Sequence, residues 1–291
     1  HVVQELLSRG ARVRVAQRDL ATTLRVKPLG GLGQTQMIAA DIGKPTSVAR
    51  AVAGSDIVIN LVGILTGDFD AVHHLGAANV AQAAADAGVG TLVHVSAIGA
   101  DAESPSAYGQ SKAAGESAVR AAFPTATILR PSIVFGREDQ FINRFADLIR
   151  TLPVVPVIGA DTKFQPVYVA DVASAIANAA ADPATHGSKT YELGGPQQLS
   201  MRELNRWIAK GIVRERSFVP VPAPIASMIA AFGFLPGAPI TRDQYAMLQK
   251  DNVVAPDAPG LAELGVAATP MAAVADSWLV RYRRHGRFAG R

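Results

Sequence analysis

The chain has 291 residues, 49% of them hydrophobic and 18% charged, with a formal net charge of +4. This describes a globular protein able to bury one large core or two joined ones, and a charge so modest gives no reason to expect a nucleic-acid partner. It contains no cysteine, which excludes disulfides, thiolate zinc sites and iron–sulfur ligation and fits a reducing compartment.

In chain order, HVVQELLSRG reads as the second half of an amphipathic helix ending at Gly10, and the strand ARVRVAQRD follows at once. A parallel α/β fold puts a strand and a Gly-rich turn before such a helix, so both are expected upstream of His1. The GLG within LGGLGQ does not supply that turn, because it precedes a strand rather than opening a helix. A short strand then runs from about Met37 to Ala40 and ends at Asp41. TSVARAVAG is a helix with Thr46 as its cap, and SDIVINLVG, apolar almost throughout, is a buried parallel strand. An Ala-rich helix from about Ala71 to Ala87, the strand TLVHVS, a helix from Ser106 to Arg120 and the strand ATILRPS complete the series. Strands separated by helices imply right-handed βαβ units, and the fold class is a doubly wound parallel Rossmann sheet.

After Pro131 the texture changes to frequent prolines and shorter elements, although QPVYVADVASAIANAAAD is a strand feeding a helix that packs back on the first half. The expected division is residues 1–182 as the nucleotide-binding domain and 183–291 as a smaller, partly discontinuous α/β lobe, with the binding site in the cleft between them. From Phe218 to Ile240 there are 23 residues without a charge. Prolines leave room in that run for a helix of about eleven residues, or ~16 Å, against a hydrocarbon core of ~30 Å. It is too short to span, which leaves buried core or a surface patch on a membrane or partner, flanked by Arg214, Arg216 and Arg242. Five of the last eleven residues are arginines, Arg281, Arg283, Arg284, Arg287 and Arg291, a tail suited to an acidic partner or anionic headgroups.

The chemistry gathers around YGQSK. Tyr108 and Lys112 stand four apart on one helix face, so an ammonium sits beside the phenol and favours its ionised form. Ser96, at the tip of the strand before, is placed to hydrogen-bond the same substrate oxygen. These three are the candidate catalytic residues. Arg18, just past a strand end, stands where a 2′-hydroxyl reader would be acidic; a guanidinium there favours NADP(H) over NAD(H), although Asp19 follows it. Asp41 and Ile42 are placed for the adenine edge. Asn60, Leu61, Val62 and Gly63 line the cofactor, with Gly63 allowing close approach of the backbone. Pro131 and Ser132 flank the nicotinamide, and Tyr108 and Lys112 complete the cofactor set. His73 and His74 read as surface residues at a helix start rather than ligands, and no metal cluster is visible.

The array of NLVG, HVSAIGAD, YGQSK and ILRPSIVFG resembles an extended, atypical short-chain dehydrogenase/reductase. More narrowly, FGREDQFINRFADLIRTLPVVPVIG, QPVYVADVASAI, ITRDQYAMLQKDNV and PGLAELGVAATP resemble the NAD(P)H-binding accessory subunit of respiratory complex I, NADH:ubiquinone oxidoreductase, over about residues 1 to 285. That resemblance implies a structural nucleotide, Arg18 at its 2′-phosphate, complex I subunits as partners and a C-terminal lobe packed near the quinone end. It also implies a peripheral position, on the cytoplasmic face of the inner membrane in a bacterium or the matrix face in a mitochondrion. The alternative reading is a working NADP-dependent reductase, dehydrogenase or epimerase on a sugar nucleotide or small carbonyl compound, a third possibility being a redox sensor with a protein partner; no feature of the second lobe names a small-molecule substrate.

Overall fold

The computed structural model describes residues 1–21, 26–235, 240–284 and 286. The first helix, α1 (Val2–Ser8), carries a Glu5–Arg9 ion pair at 2.6 Å, and Gly10, at φ +85°, turns the chain into β1 (Val13–Gln17). LGGLGQ is the turn expected: Gly33 sits at φ +78° and the Gly31 N–H donates to the Gln34 side chain before β2 (Thr35–Ala39) begins. α2 (Pro45–Val52) starts earlier than its sequence suggests. Proline at its first position, with φ already preset, makes Lys44 the cap residue and puts Thr46 inside the helix.

β3 (Ile57–Asn60) is shorter and more exposed than an apolar run implies. It is the edge strand of its sheet, Ile57 is 41% exposed, and Leu61 and Val62 lie beyond it in an exposed loop. The Ala-rich helix begins with a π-helical turn, Asp70–Leu75, before α3 (Gly76–Asp86). β4 (Thr91–Val95), α4 (Ala107–Ala122) and β5 (Thr127–Pro131) follow in the expected order, with Ser106 capping α4 by accepting from the Gly109 N–H.

Then come β6 (Val134–Phe135), α5 (Phe141–Thr151), β7 (Val154–Val157), β8 (Lys163–Phe164), β9 (Val167–Tyr168), α6 (Val169–Ala181), the short α7 (Pro183–His186) and β10 (Thr190–Leu193). The last stretch holds β11 (Leu199–Ser200), α8 (Met201–Gly211), β12 (Ser217–Pro220), α9 (Ala223–Ala231), α10 (Arg242–Met247) and the turns α11 (Met271–Val274) and α12 (Asp276–Leu279).

The chain divides into two compact units. The first comprises 1–131, 170–193 and 257–267; the second comprises 132–169, 194–256 and 268–291. This differs from a cut at residue 182, because 132–169 cluster with the second unit while 183–193 return to the first to supply β10. In the first unit β1 pairs with β2, and β3, β4, β5 and β10 form a four-stranded sheet, parallel throughout. Its core packs Val48, Val52, Ala81, Ala84, Leu92, Val119 and Phe123. The second unit has three two-stranded sheets, β6–β9 and β7–β12 parallel and β8–β11 antiparallel. Its core joins Phe135, Ile142, Ile149, Leu204, Ile208, Ile212 and Trp278, and α8 enters it from a capping box in which Ser200 and Glu203 satisfy each other's N–H groups.

The uncharged run is mostly surface. On α9 only Ala226 and Ala230 are buried, whereas Ile225, Met228, Phe232, Phe234 and Leu235 of the same run stand exposed; Pro236 and Pro239 lie outside the described residues. Among the described residues no helix is long and apolar enough to cross a membrane. The basic end is not a free tail throughout: Arg281 stacks over Tyr282 at 4.9 Å, and Arg283 donates to the Gly211 carbonyl and pairs with Asp276. Arg287 and Arg291 lie outside the described residues.

Candidate active site

Apart from Tyr108 and Lys112, which α4 carries, the candidates in the first unit sit at or just beyond the carboxyl end of a parallel strand, the edge where open α/β sheets bind ligands. Arg18 follows β1, Asp41 and Ile42 follow β2, Asn60 ends β3, Ser96 follows β4 and Pro131 ends β5. Around Lys112 several of them meet. α4 carries Lys112 down against β4, where its ammonium donates to the Val95 carbonyl at 3.3 Å and lies 6.0 Å from the centre of the Tyr108 ring. Only 4% of Lys112 is exposed. Burial lowers its pKa from 10.5 to about 8, partly opposed by the Glu116 carboxylate one turn along. Glu116 is held by a two-pronged contact with Arg130 at 2.7 and 2.8 Å, and among the described residues Lys112 forms no direct ion pair.

Gly63 lies over this ammonium. A Cβ added there would stand 3.4 Å from Lys112 Nζ and 3.7 Å from His73 Nε2, in ordinary contact with both, so a longer side chain would take up space beside the cation. Ser96 is buried and its hydroxyl has no partner among the described residues, and the same holds for His94 Nε2. Asn60 explains the second case. Its Oδ1 accepts from the Val62 N–H, so its amide nitrogen faces His94 Nδ1 at 3.1 Å and the imidazole proton stays on the unpartnered Nε2.

His73 corrects the surface reading of the histidine pair. It is 2% exposed, while His74 pairs with Asp70 at 2.9 Å. Its Nε2 accepts from the Ile64 N–H, so Nδ1 carries the proton and donates to Ser111 Oγ, which donates to the Tyr108 carbonyl. Its ring stacks on Phe69 at 5.5 Å and meets Tyr108 edge-on at 5.2 Å. Burial, then the Lys112 charge, lowers His73 to about 4 and His94 to about 3. Both imidazoles are therefore neutral near pH 7, and Lys112 is the cation of the cluster. Sequence reasoning passed over Phe69 and read His73 as a surface residue; their i, i+4 spacing ahead of an Ala-rich helix was the available signal.

The remaining candidates lie outside this cluster. Arg18 is exposed and its guanidinium makes no hydrogen bond among the described residues. Asp41 accepts from the Gly43 N–H, and its own N–H is held by Ser47. Ile42 is turned inward: a Cβ on Gly76 would meet its side chain at 2.9 Å, and its carbonyl accepts from Asn79. Pro131 accepts from the Ile98 N–H. Ser132 opens the second unit, where its hydroxyl is within 2.6 Å of the Asn252 side chain.

Residues 67–253 match the family model of the RmlD substrate binding domain, and residues 1–104 match that of the 3-beta hydroxysteroid dehydrogenase/isomerase family. The chain is 38% identical to rat NADH dehydrogenase (ubiquinone) 1 alpha subcomplex subunit 9, mitochondrial, covering 98% of this chain and 78% of that protein. The Arabidopsis thaliana protein of the same name is 35% identical over 98% of this chain and 75% of its own length. The chain belongs to this subunit family. The alpha subcomplex subunit 9 family is thereby placed, with the two matching domain models, among extended short-chain dehydrogenases/reductases. The fold extends further: a Citrobacter triphenylmethane reductase complexed with NADP(H) superposes with a TM-score of 0.76 at 21% identity, covering 97% of this chain and 95% of that one.

Proposed function

We propose that this protein holds NADP(H) at the carboxyl edge of its first unit and serves as an accessory subunit of a membrane-bound NADH:ubiquinone oxidoreductase, the nucleotide acting there as a structural element. The observation that carries the reading is the buried Lys112 ammonium beside Tyr108, roofed by Gly63 and lacking a carboxylate partner. A buried cation without a counter-ion is costly unless something polar covers it. A nucleotide ribose supplies hydroxyl acceptors, and Gly63 leaves the room for it. The partner assignment rests on family membership, since the rat and Arabidopsis relatives are by name subunits of that enzyme.

In this reading Lys112 and Tyr108 grip the ribose, Asn60 to Gly63 line the cofactor, and Asp41 and Ile42 border the adenine. Pro131 and Ser132 flank the nicotinamide. Arg18 offers to a 2′-phosphate a guanidinium that makes no hydrogen bond among the described residues, which favours NADPH over NADH. In this reading the protein sits at the membrane surface beside its partners.

A second reading has its own observation. Ser96 Oγ is buried without a partner at the end of β4, the state of a hydroxyl waiting for a substrate oxygen. With the nucleotide supplying hydride, Tyr108 would pass its phenolic proton to that oxygen while the Lys112 charge stabilises the phenolate. This is the working reductase. Calorimetric titration of the protein with NADPH and NADH tests the first reading. We expect NADPH to bind more tightly and Arg18→Glu to cost about 2–4 kcal/mol through loss of a charge-assisted contact. Equal affinity for the two nucleotides overturns the preference, and binding of neither overturns the nucleotide. Steady oxidation of NADPH with a carbonyl substrate, lost in Tyr108→Phe, would transfer the assignment to the second reading.

A further inference from the structure

The second unit carries a cluster of cations that the nucleotide site does not use. A groove of about 650 Å³ is lined by Arg206, Lys210, Val213, Arg214, Arg216 and Phe218, with Glu215 as its one carboxylate. Arg206 and Lys210 stand one turn apart on the exposed face of α8, and neither forms a hydrogen bond or ion pair among the described residues. Glu203, one turn before Arg206, is committed to the Ser200 cap, with its Oε2 2.8 Å from both the backbone N–H and the hydroxyl. Arg216 is satisfied within the fold by the Ile149 and Glu215 carbonyls.

Arg214 is different. Its Nε is buried and has no acceptor among the described residues, while the side chain as a whole is only partly buried and lines the groove. The backbone that aims it is also strained. Val213 lies at φ +55°, a left-handed conformation unfavourable for a β-branched residue. The turn is the helix end that glycine normally makes: the Arg214 N–H reaches back to the Ala209 carbonyl and the Val213 N–H to that of Lys210. Together they fold Arg214 back beside Lys210. A groove lined by four cations against one carboxylate suits oxygen-rich anions, and a guanidinium fork matches phosphate geometry.

We propose that this groove binds the phosphate group of an anionic ligand, with Arg214 as the directed donor and Arg206 and Lys210 as the flanking charges. The phosphate belongs either to a soluble ester or to a phospholipid headgroup. Val213 and Phe218 give the groove an apolar wall that suits either. The full-length protein is titrated calorimetrically with inorganic pyrophosphate and sedimented with phosphatidylcholine vesicles, with and without about one-fifth phosphatidic acid. The same is done for Arg214→Gln and for Arg206→Gln combined with Lys210→Gln.

We expect the native protein to bind at least one probe, and each variant to bind it about tenfold more weakly, while NADPH affinity is unchanged because every substituted residue lies in the second unit. Binding to pyrophosphate alone assigns a soluble ester. Sedimentation with the acidic vesicles, lost in both variants, assigns a headgroup. Native protein that binds neither probe, or variants that bind as well as native, would overturn the proposal. Arg214→Lys separates charge from geometry: it keeps the positive charge but removes the fork, so affinity equal to native would overturn the directed role of Arg214.

Discussion

Lys112 links the stability of the first unit to its proposed use. Its pKa falls from 10.5 to about 8 because burial penalises the ammonium, so between those values the unfolded chain binds a proton that the folded one does not. Stability therefore rises as pH increases from about 8 to 10.5, and near neutrality the buried cation is a cost. Lys112→Met, of similar length and apolar, should raise stability at pH 7 by about 1–3 kcal/mol and flatten the alkaline rise, while weakening NADPH binding. Urea unfolding across pH, paired with nucleotide titration, checks both halves; a less stable variant would mean that the ammonium is better satisfied than its contacts indicate. His73 and His94 act at the other end. Lowered from 6.5 to about 4 and about 3, they leave stability on its plateau above pH 6.5 and remove it as pH falls toward those values. The Tyr108–Lys112 pair was legible in the sequence because helix spacing alone brings i and i+4 together. The neutral state of two histidines was not, since it depends on burial and on partners from β3, the following loop and α4.

At the scale of elements, α4 and the π-helical turn before α3 show what small residues allow. A Cβ on Gly115 would lie 2.0 Å from the His73 carbonyl oxygen, a backbone atom that cannot swing aside. The close approach lets the His73 imidazole reach Ser111 and hold the Tyr108 end of α4. Gly115→Ala should therefore push α4 away and cost about 3 kcal/mol or more, at the upper end of ordinary overpacking because the neighbour is backbone. The intrinsic helix propensity of alanine works in the opposite direction by only about 1 kcal/mol. Chemical denaturation gives the stability change, and loss of NADPH affinity alongside it would show that the displacement reaches Tyr108. From the sequence, the strand and helix order of the first unit is readable through period and apolar runs. The π-helical turn is not, because Asp70–Leu75 carry a helical pattern and only the hydrogen-bond register differs. Thr46 illustrates a different failure: a good capping residue lost its place because Pro45, whose fixed φ suits the first helical position, starts the helix two residues sooner.

The division of the whole molecule was harder to read than its fold class. Helix and strand patterns identify a nucleotide-type sheet from residues 13 to 131, but nothing local marks 132–169 as part of the other unit or 257–267 as part of this one. Long-range contacts decide that. For the uncharged run, composition left burial and surface exposure both open, and the structure separates them residue by residue. Ala226 and Ala230 face inward, whereas Ile225, Met228 and Phe232 are 46%, 57% and 55% exposed. Large apolar side chains grouped at a surface commonly mark an interface, and in a subunit family a partner or membrane surface is the natural cover. Because these three side chains contribute little to the core, Ile225→Ser, Met228→Ser and Phe232→Ser together should leave the thermal unfolding midpoint nearly unchanged. The triple variant should move from the membrane fraction to the soluble fraction and lose co-purification with respiratory subunits. Fractionation at low and high salt discriminates further: apolar contact survives high salt, whereas attachment through Arg281, Arg283 and Arg284 alone would be released by it. A triple variant that sediments and co-purifies like the native protein would show that the α9 surface is not the contact.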